Sequence, residues 1–271
     1  MTHPDLHSLA HQSQDLVTAV RRDAPLVQCL TNFVSMNYAA NAVLAIGASP
    51  AMVHAEEEAP EFARFAGAVV INIGTLSSPW LRSMLLTAKA AAEAGTPWIL
   101  DPVAHHATAF RRDAIQQLLD LEPAIIRGNA SEIIALAGGH SAGKGVDARD
   151  AVAQAEQSAY DIAARRKTVV AVTGEVDYVT DGTRAVRIAG GSPLMPRVTA
   201  TGCALSAVVG AFAAVSKDDP YVAAVAALSC FGIAGDRAAV HADGPGSFAW
   251  RFLDALAALD ADCLTRESPL R

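Results

Sequence analysis

The chain has 271 residues, 52% of them hydrophobic and 18% charged, with a formal net charge of −7. That balance allows one large α/β domain with a sizeable core and argues against disorder. An acidic chain without a basic run is a poor partner for nucleic acid or an anionic membrane, and no apolar run reaches the roughly 18 residues of a spanning helix.

The N-terminus has histidines and acids where a signal peptide would have a basic segment and an apolar core. Four cysteines, Cys29, Cys203, Cys230 and Cys263, lie far apart with no metal-type spacing. They read as reduced thiols of a cytoplasmic protein.

In chain order, Leu6, Leu9, Leu16, Val17 and Val20 have helical spacing and predict a helix over 6–22. A short buried strand follows at 27–30. An Ala-rich helix at 37–46 is closed by Gly47 as its C-cap. Residues 49–53 are short and extended, and 60–66 a small helix. The run Ala-Val-Val-Ile-Asn-Ile at 68–73 is continuously apolar but for Asn72, as a strand covered on both faces requires. A helix at 79–94 begins with proline and is followed by Gly95. Strands at 98–100 and 124–126 alternate with helices at 110–119 and 131–137. A long helix at 148–166 leads to a strand at 168–172. Strands at 178–180 and 185–188 flank Asp181-Gly182, a hairpin signal. A β-prone segment, Arg197-Val198-Thr199, precedes helices at 202–215, 221–241 and 247–259.

This β-α alternation predicts a mostly parallel sheet with helices on both faces, in one domain. In such a sheet the ligand crevice lies at the carboxyl ends of the strands. Asn72-Ile73-Gly74-Thr75, Asp101-Pro102, Arg127-Gly128-Asn129 and Thr173-Gly174 all fall there. Each has a plain structural explanation. Gly74 serves as a turn, Asp101 as an N-cap, Arg127 as a surface ion pair, Glu132 as part of a capping box with Asn129, and Thr173-Gly174 as a strand exit.

Residues 198–210 complete the rim. Small residues there run into an apolar helix, so several backbone N–H groups face outward at its positive end. Such a turn binds anions, phosphate above all. Together the rim carries an aspartate, a glutamate, an arginine and an anion-binding turn. Phosphoryl transfer needs these parts: carboxylates for Mg²⁺, a cation for phosphate, and N–H groups for developing charge.

Two stretches imitate other sites. Gly138-Gly139-His140-Ser141-Ala142-Gly143-Lys144-Gly145 nearly spells a P-loop, but it follows a helix and ends in glycine instead of Ser or Thr. His105-His106 has no third ligand near it in sequence.

The ordered set Leu30-Thr31-Asn32-Phe33-Val34, Ala45-Ile46-Gly47-Ala48-Ser49-Pro50-Ala51-Met52, Asn72-Ile73-Gly74-Thr75-Leu76 and Asp101-Pro102-Val103 resembles the hydroxyethylthiazole kinase family, of the ribokinase-like superfamily. Arg127-Gly128-Asn129-Ala130-Ser131-Glu132, Val172-Thr173-Gly174, Thr201-Gly202-Cys203 and Gly244-Pro245-Gly246-Ser247-Phe248 extend the likeness over nearly the whole chain.

The resemblance implies a single ribokinase-like α/β domain that phosphorylates 4-methyl-5-(2-hydroxyethyl)thiazole with ATP and Mg²⁺. It also implies a homotrimer with active sites at subunit interfaces. By the same resemblance Asn32, Val34, Met52 and Gly74 would contact the thiazole. Arg127 and Thr173 would meet ATP phosphates, and Asp101 and Glu132 would serve the metal. The turn from Ala200 through Gly202 to Cys203 would be the anion hole. Met52 suits a flat aromatic ring, because its thioether is polarizable.

A thiolate at Cys203, favoured by the helix end and a nearby cation, would accept the alcohol's proton. Its loss would then lower kcat roughly ten- to a hundred-fold. Two departures stand out: Ala200 where the family commonly has glycine, and His105-His106 where it has small residues. The competing readings are a lyase of the same fold, similar to the dehydratases that repair hydrated nicotinamide cofactors, and an idle binding protein. Those lyases carry aspartate at the position of Cys203, and Asp101, Arg127 and Glu132 argue against an idle scaffold.

Ala-rich helical faces at 37–46 and 222–234 with few charges are further reason to expect an oligomer.

Overall fold

Apolar runs that do not alternate with polar residues make strands that need cover on both faces. The computed structural model, which describes residues 4–139 and 148–271, gives them that cover. One sheet holds β1 (Leu26–Leu30), β2 (Ser49–Ala51), β3 (Ala68–Asn72), β4 (Trp98–Asp101), β5 (Ile125–Asn129), β6 (Val169–Thr173), β7 (Asp177–Thr180) and β8 (Ala185–Ile188). The order across it is β2-β1-β3-β4-β5-β6-β7-β8. Every pair from β2 to β6 is parallel, and the last two pairs are antiparallel.

The pleat sends alternate side chains to two separate cores. Ala68, Val70 and Ile99 face one core, with α1 (Leu6–Asp23), α2 (Met36–Ile46), α8 (Thr201–Val215), α9 (Pro220–Ala239) and α10 (Pro245–Ala257). Val69, Ile71 and Leu100 face the other, with α3 (Ala59–Ala63), α4 (Ser78–Ala94), α5 (Ala109–Leu119), α6 (Ala130–Leu136) and α7 (Ala148–Arg166). Gly47 and Gly95 adopt the left-handed conformation as the C-caps of α2 and α4.

One glycine sets the depth of α8. A Cβ on Gly210 would stand 2.6 Å from Val70 Cγ2 and 3.0 Å from Val27 Cγ1. Without it, α8 lies close against β1 and β3, and its N-terminus reaches the carboxyl edge of the sheet.

Several expectations need correction. The β-prone Arg197-Val198-Thr199 forms no strand: Arg197 ends a 3₁₀ turn, Met195–Arg197, and Val198, although extended at φ −105, ψ 116, pairs with no strand among the described residues. The strand expected at 124–126 continues through Arg127, Gly128 and Asn129, because each pairs with β6. The 49–53 segment stops pairing at Ala51, and α3 ends at Ala63.

A further helix, α11 (Cys263–Arg266), follows α10. The Ala-rich stretch 222–234 needs no second subunit to cover it, since every residue there is buried in this chain's own core. α9 is also the one described helix long and apolar enough to cross a membrane, and 83% of its apolar window is buried inside the fold. The near-P-loop lies almost wholly outside the described residues.

Candidate active site

Five strand ends, those of β1, β3, β4, β5 and β6, and the start of α8 converge at the carboxyl edge. Asn32 follows β1, and its amide uses all of its hydrogen-bonding capacity. Nδ2 donates to Asn72 Oδ1 at 2.9 Å and to Cys203 Sγ at 3.2 Å. Oδ1 accepts from the amides of Val34 and Ser35. Asn72, the last residue of β3, donates from Nδ2 to Asp101 Oδ2 at 2.7 Å and accepts the Gly74 amide on Oδ1. Ser206 Oγ donates to the same Asp101 oxygen at 2.8 Å. A chain of short contacts thus links the thiol, two amides, a carboxylate and a hydroxyl. Gly74 is required for it, because a Cβ there would stand 2.6 Å from Asn32 Nδ2.

Asp101 is fully buried, and its Oδ1 has no hydrogen-bond partner among the described residues. Burial is the largest influence on its carboxyl and pushes the pKa up to about 6, against the downward pull of Arg127. Arg127 Nη1 lies 3.6 Å from Asp101 Oδ2, and Nη2 donates to Thr173 Oγ1 at 2.7 Å. Its Nε is buried without a partner among the described residues. Any side chain at Gly202 would meet this guanidinium, since a Cβ there would lie 3.0 Å from Nη1. Gly202 therefore lets the first turn of α8 approach the arginine.

Ala200 precedes that turn at φ 68, ψ −1, a left-handed conformation that costs alanine about 1–2 kcal/mol. The loop keeps this geometry without glycine. Among the described residues the Gly202 and Cys203 amides have no backbone acceptor, so two first-turn donors face outward. Cys203 is the third residue of α8 and half-buried.

The expected lowering of its pKa does not occur. Burial raises it, with Asp101 adding to the rise, and the bond from Asn32 and the pull of Arg127 offset only part of this. The thiol is neutral at physiological pH.

Glu132 sits in a capping box: Oε2 accepts the Asn129 amide, and Asn129 Oδ1 accepts the Glu132 amide. Its Oε1 accepts the Ala104 amide at 3.0 Å. The carboxylate acts on the Asp101 carboxyl, so the two acids lie on one side of the molecule. Among the described residues no group of three or more His, Cys, Asp or Glu side chains could hold a metal alone.

His105 is buried, its Nε2 2.9 Å from the Glu132 carbonyl, so this histidine is part of the scaffold.

A cleft of about 660 Å³ opens on one side of the α8 N-terminus. Arg127, Thr173, Gly174, Asp177, Thr201 and Gly202 form its polar end. Met195, Pro196, Leu205 and Phe231 form its apolar wall. Asn32, Val34, Met52 and Gly74 lie outside this cleft. Near them Phe33 stacks on Trp80, with ring centroids 4.6 Å apart and planes at 22°, and His54 meets Trp80 edge-on.

Three features escaped the sequence reading. Arg111, on α5, donates to the carbonyls of Ile73, Val103 and Gly74, tying together the exits of β3 and β4. Ser206 and Asp177 are the others. Ser206 carried a faint signal, one helical turn beyond Cys203. Arg111 carried none.

Comparison with known proteins bears on this geometry. The profile described as the hydroxyethylthiazole kinase family matches residues 17–262. A hydroxyethylthiazole kinase of Rhizobium rhizogenes is 64% identical over 253 residues, covering 93% of this chain and 94% of the relative. The solved structure of a hydroxyethylthiazole kinase from Pyrococcus horikoshii superposes with a TM-score of 0.88 at 42% identity, covering 96% of this chain and 98% of that one. A ribokinase-like superfamily protein of Enterococcus faecalis has a TM-score of 0.63 at 12% identity, covering 90% and 93%, and shares the fold.

Proposed function

The chain belongs to the hydroxyethylthiazole kinase family and phosphorylates the primary alcohol of 4-methyl-5-(2-hydroxyethyl)thiazole, and from that premise we propose how its residues divide the work. The cleft beside Arg127 takes ATP, with its phosphates toward Arg127, Thr173 and the free amides of Gly202 and Cys203. One observation carries this reading. An uncapped helix start and a buried arginine whose Nε has no partner among the described residues meet at the polar end of the cleft, and the buried Asp101 carboxylate, with one unpartnered oxygen, stands 3.6 Å from that arginine. Buried polar groups of this kind call for a ligand.

Mg²⁺ fits the residues present. Asp101 Oδ1 is a free carboxylate oxygen, and Glu132 lies close by. A hard ion that keeps several waters needs only one or two carboxylates besides nucleotide phosphates. When bound, it would neutralise charge on those phosphates.

The alcohol lies on the other side of the α8 start. There Met52 and Val34 offer apolar contact, and the Ala200 turn and Gly74 approach by their backbones. Asn32 contributes shape rather than a hydrogen bond, because its amide is already saturated.

In the transfer, the hydroxyl oxygen bonds to the γ-phosphorus as the bond to the β,γ-bridging oxygen breaks, and ADP leaves. Arg127 and the first-turn amides hold the equatorial oxygens in a loose transition state. Such a state needs little early proton removal, so a neutral Cys203 is compatible with it. The proton passes late, to the new phosphate ester or to water.

The working unit is a homotrimer with sites at its interfaces. Phe33 and Val34, beside Asn32, are 69% and 62% exposed, and a second subunit would cover them. Four free thiols suit the reducing cytoplasm.

Identifying the product by ³¹P NMR tests the reading. With ATP, Mg²⁺ and the thiazole alcohol, ADP and a phosphate monoester should appear together. Turnover of hydrated NADH, with no ester formed, would contradict it.

A further inference from the structure

Asp177 opens β7 in the wall of the nucleotide cleft, and nothing so far gives it a task. It is half-buried, whereas its neighbour Glu175, also in the wall, is exposed. Its Oδ1 accepts the Gly174 amide at 3.0 Å, which fixes the carboxylate to the turn after Thr173. Its Oδ2 has no hydrogen-bond partner among the described residues. Burial pushes the carboxyl up to about 6, and Arg127 pulls it down, so the two groups are near neighbours. Above that value the free oxygen is an acceptor only, and it needs a donor from the ligand.

We propose that Asp177 is the specificity-determining residue that accepts a hydrogen bond from a ribose hydroxyl of the nucleotide. The proposal rests on the reading that Arg127 and Thr173 take the phosphates. A carboxylate beside that end cannot receive a phosphate oxygen, because both are acceptors and both are negative. The donors of a nucleoside triphosphate are its ribose hydroxyls and the amine of its base. The ribose is joined directly to the phosphates, and the base lies one ring further away. The apolar wall of Met195, Pro196 and Phe231 suits that base. The donors within reach of Asp177 are therefore the 2′- and 3′-hydroxyls. Because the Gly174 amide already holds the carboxylate, little order is lost when the ribose arrives.

The test compares kcat/KM for ATP, 2′-deoxy-ATP and 3′-deoxy-ATP, using the full chain with Mg²⁺ and the thiazole alcohol. The wild-type protein should lose about ten-fold or more on removal of at least one hydroxyl, as for a hydrogen bond to a charged group. Asp177→Ala should bring ATP down to the level of that analogue. Asp177→Asn keeps an oxygen for the Gly174 amide but loses the charged acceptor. Its preference for ATP should fall to within about three-fold, since a neutral bond is weaker.

A wild-type protein indifferent to both hydroxyls would overturn the proposal, and this holds even if the alanine variant fails to fold. A preference retained in Asp177→Ala would overturn it too. A preference lost in the alanine variant but fully kept in the asparagine variant would assign Asp177 to holding the turn, again overturning it. Arg127→Ala separates the underlying reading, since it should weaken all three nucleotides by a common factor. No effect there would refute the phosphate assignment, whatever the ribose ratio.

Discussion

The two sides of the α8 start differ in how much of their polar capacity is used. On the alcohol side, Asn32 and Asn72 form a knot in which both Asn32 amide hydrogens bond acceptors and Asn72 donates to Asp101. On the nucleotide side, Arg127 Nε, Asp101 Oδ1 and two backbone amides have no partner among the described residues. Buried groups left in that state cost stability, of order 1–3 kcal/mol each for neutral groups. The saturated side holds geometry and the unsaturated side is prepared for charge. Asp101 belongs to both, with one oxygen in the knot and one free.

Removing the charge from Asp101 should break this division most severely. Asp101→Asn keeps the size and one acceptor but loses the negative charge 3.6 Å from Arg127. We expect kcat to fall by roughly a thousand-fold, the upper range for losing one preorganised electrostatic group. Without ATP or Mg²⁺ the same variant should melt higher at neutral pH. The sign follows from the pKa of about 6 in the folded chain, above the ordinary carboxylate range near 3.9. Between those values the folded state holds the extra proton, so stability falls as pH rises through the window. The melting advantage of Asp101→Asn should therefore be full above pH 6 and vanish below about pH 4. Thermal melts across that range, with steady-state kinetics, check both halves.

Cys203→Ala tests how far the thiol itself acts. Because burial and Asp101 raise its pKa, a thiolate base is not available near neutrality. We expect kcat to drop by less than about ten-fold, below ordinary general-base effects. The pH–rate profile should keep its shape. A larger loss, with disappearance of one limb of that profile, would restore the thiol as the base.

The sequence shows the sheet well and the site only in part, for physical reasons. A short run rich in β-branched apolar residues such as 68–71 reads as a covered strand, and Asn129 with Glu132 has the spacing of a capping box. These are local signals. The pKa of Cys203 is not local. It depends on burial and on Asp101, 102 positions away in the chain, and helix position alone gave the wrong direction. Arg111 and Asp177 look like ordinary surface charges until the fold brings the strand exits and the cleft wall to them. Arg197-Val198-Thr199 has β-prone residues, but a strand exists only where a neighbour pairs with it.

Ala200→Gly should give the smallest effect and sharpens the view of the anion hole. Alanine at φ 68 is strained, and glycine would remove that strain at some cost in chain entropy. A rise in melting temperature of a few degrees is expected, from about 1 kcal/mol. kcat should change by less than about three-fold, because the backbone already adopts the required shape and the two states differ by under 1 kcal/mol. Circular dichroism melts and initial rates measure both.

The division between the two sides is tested most directly by the paired Michaelis constants of Arg127→Ala and Met52→Ala. Arg127→Ala should raise KM for ATP by about ten-fold or more, as loss of a charge-assisted contact does, and leave KM for the thiazole alcohol within two-fold of wild type (about 0.4 kcal/mol). Met52→Ala should do the reverse. If both variants move both constants together, the nucleotide and the alcohol do not occupy separate sides of the α8 start, and the account is wrong.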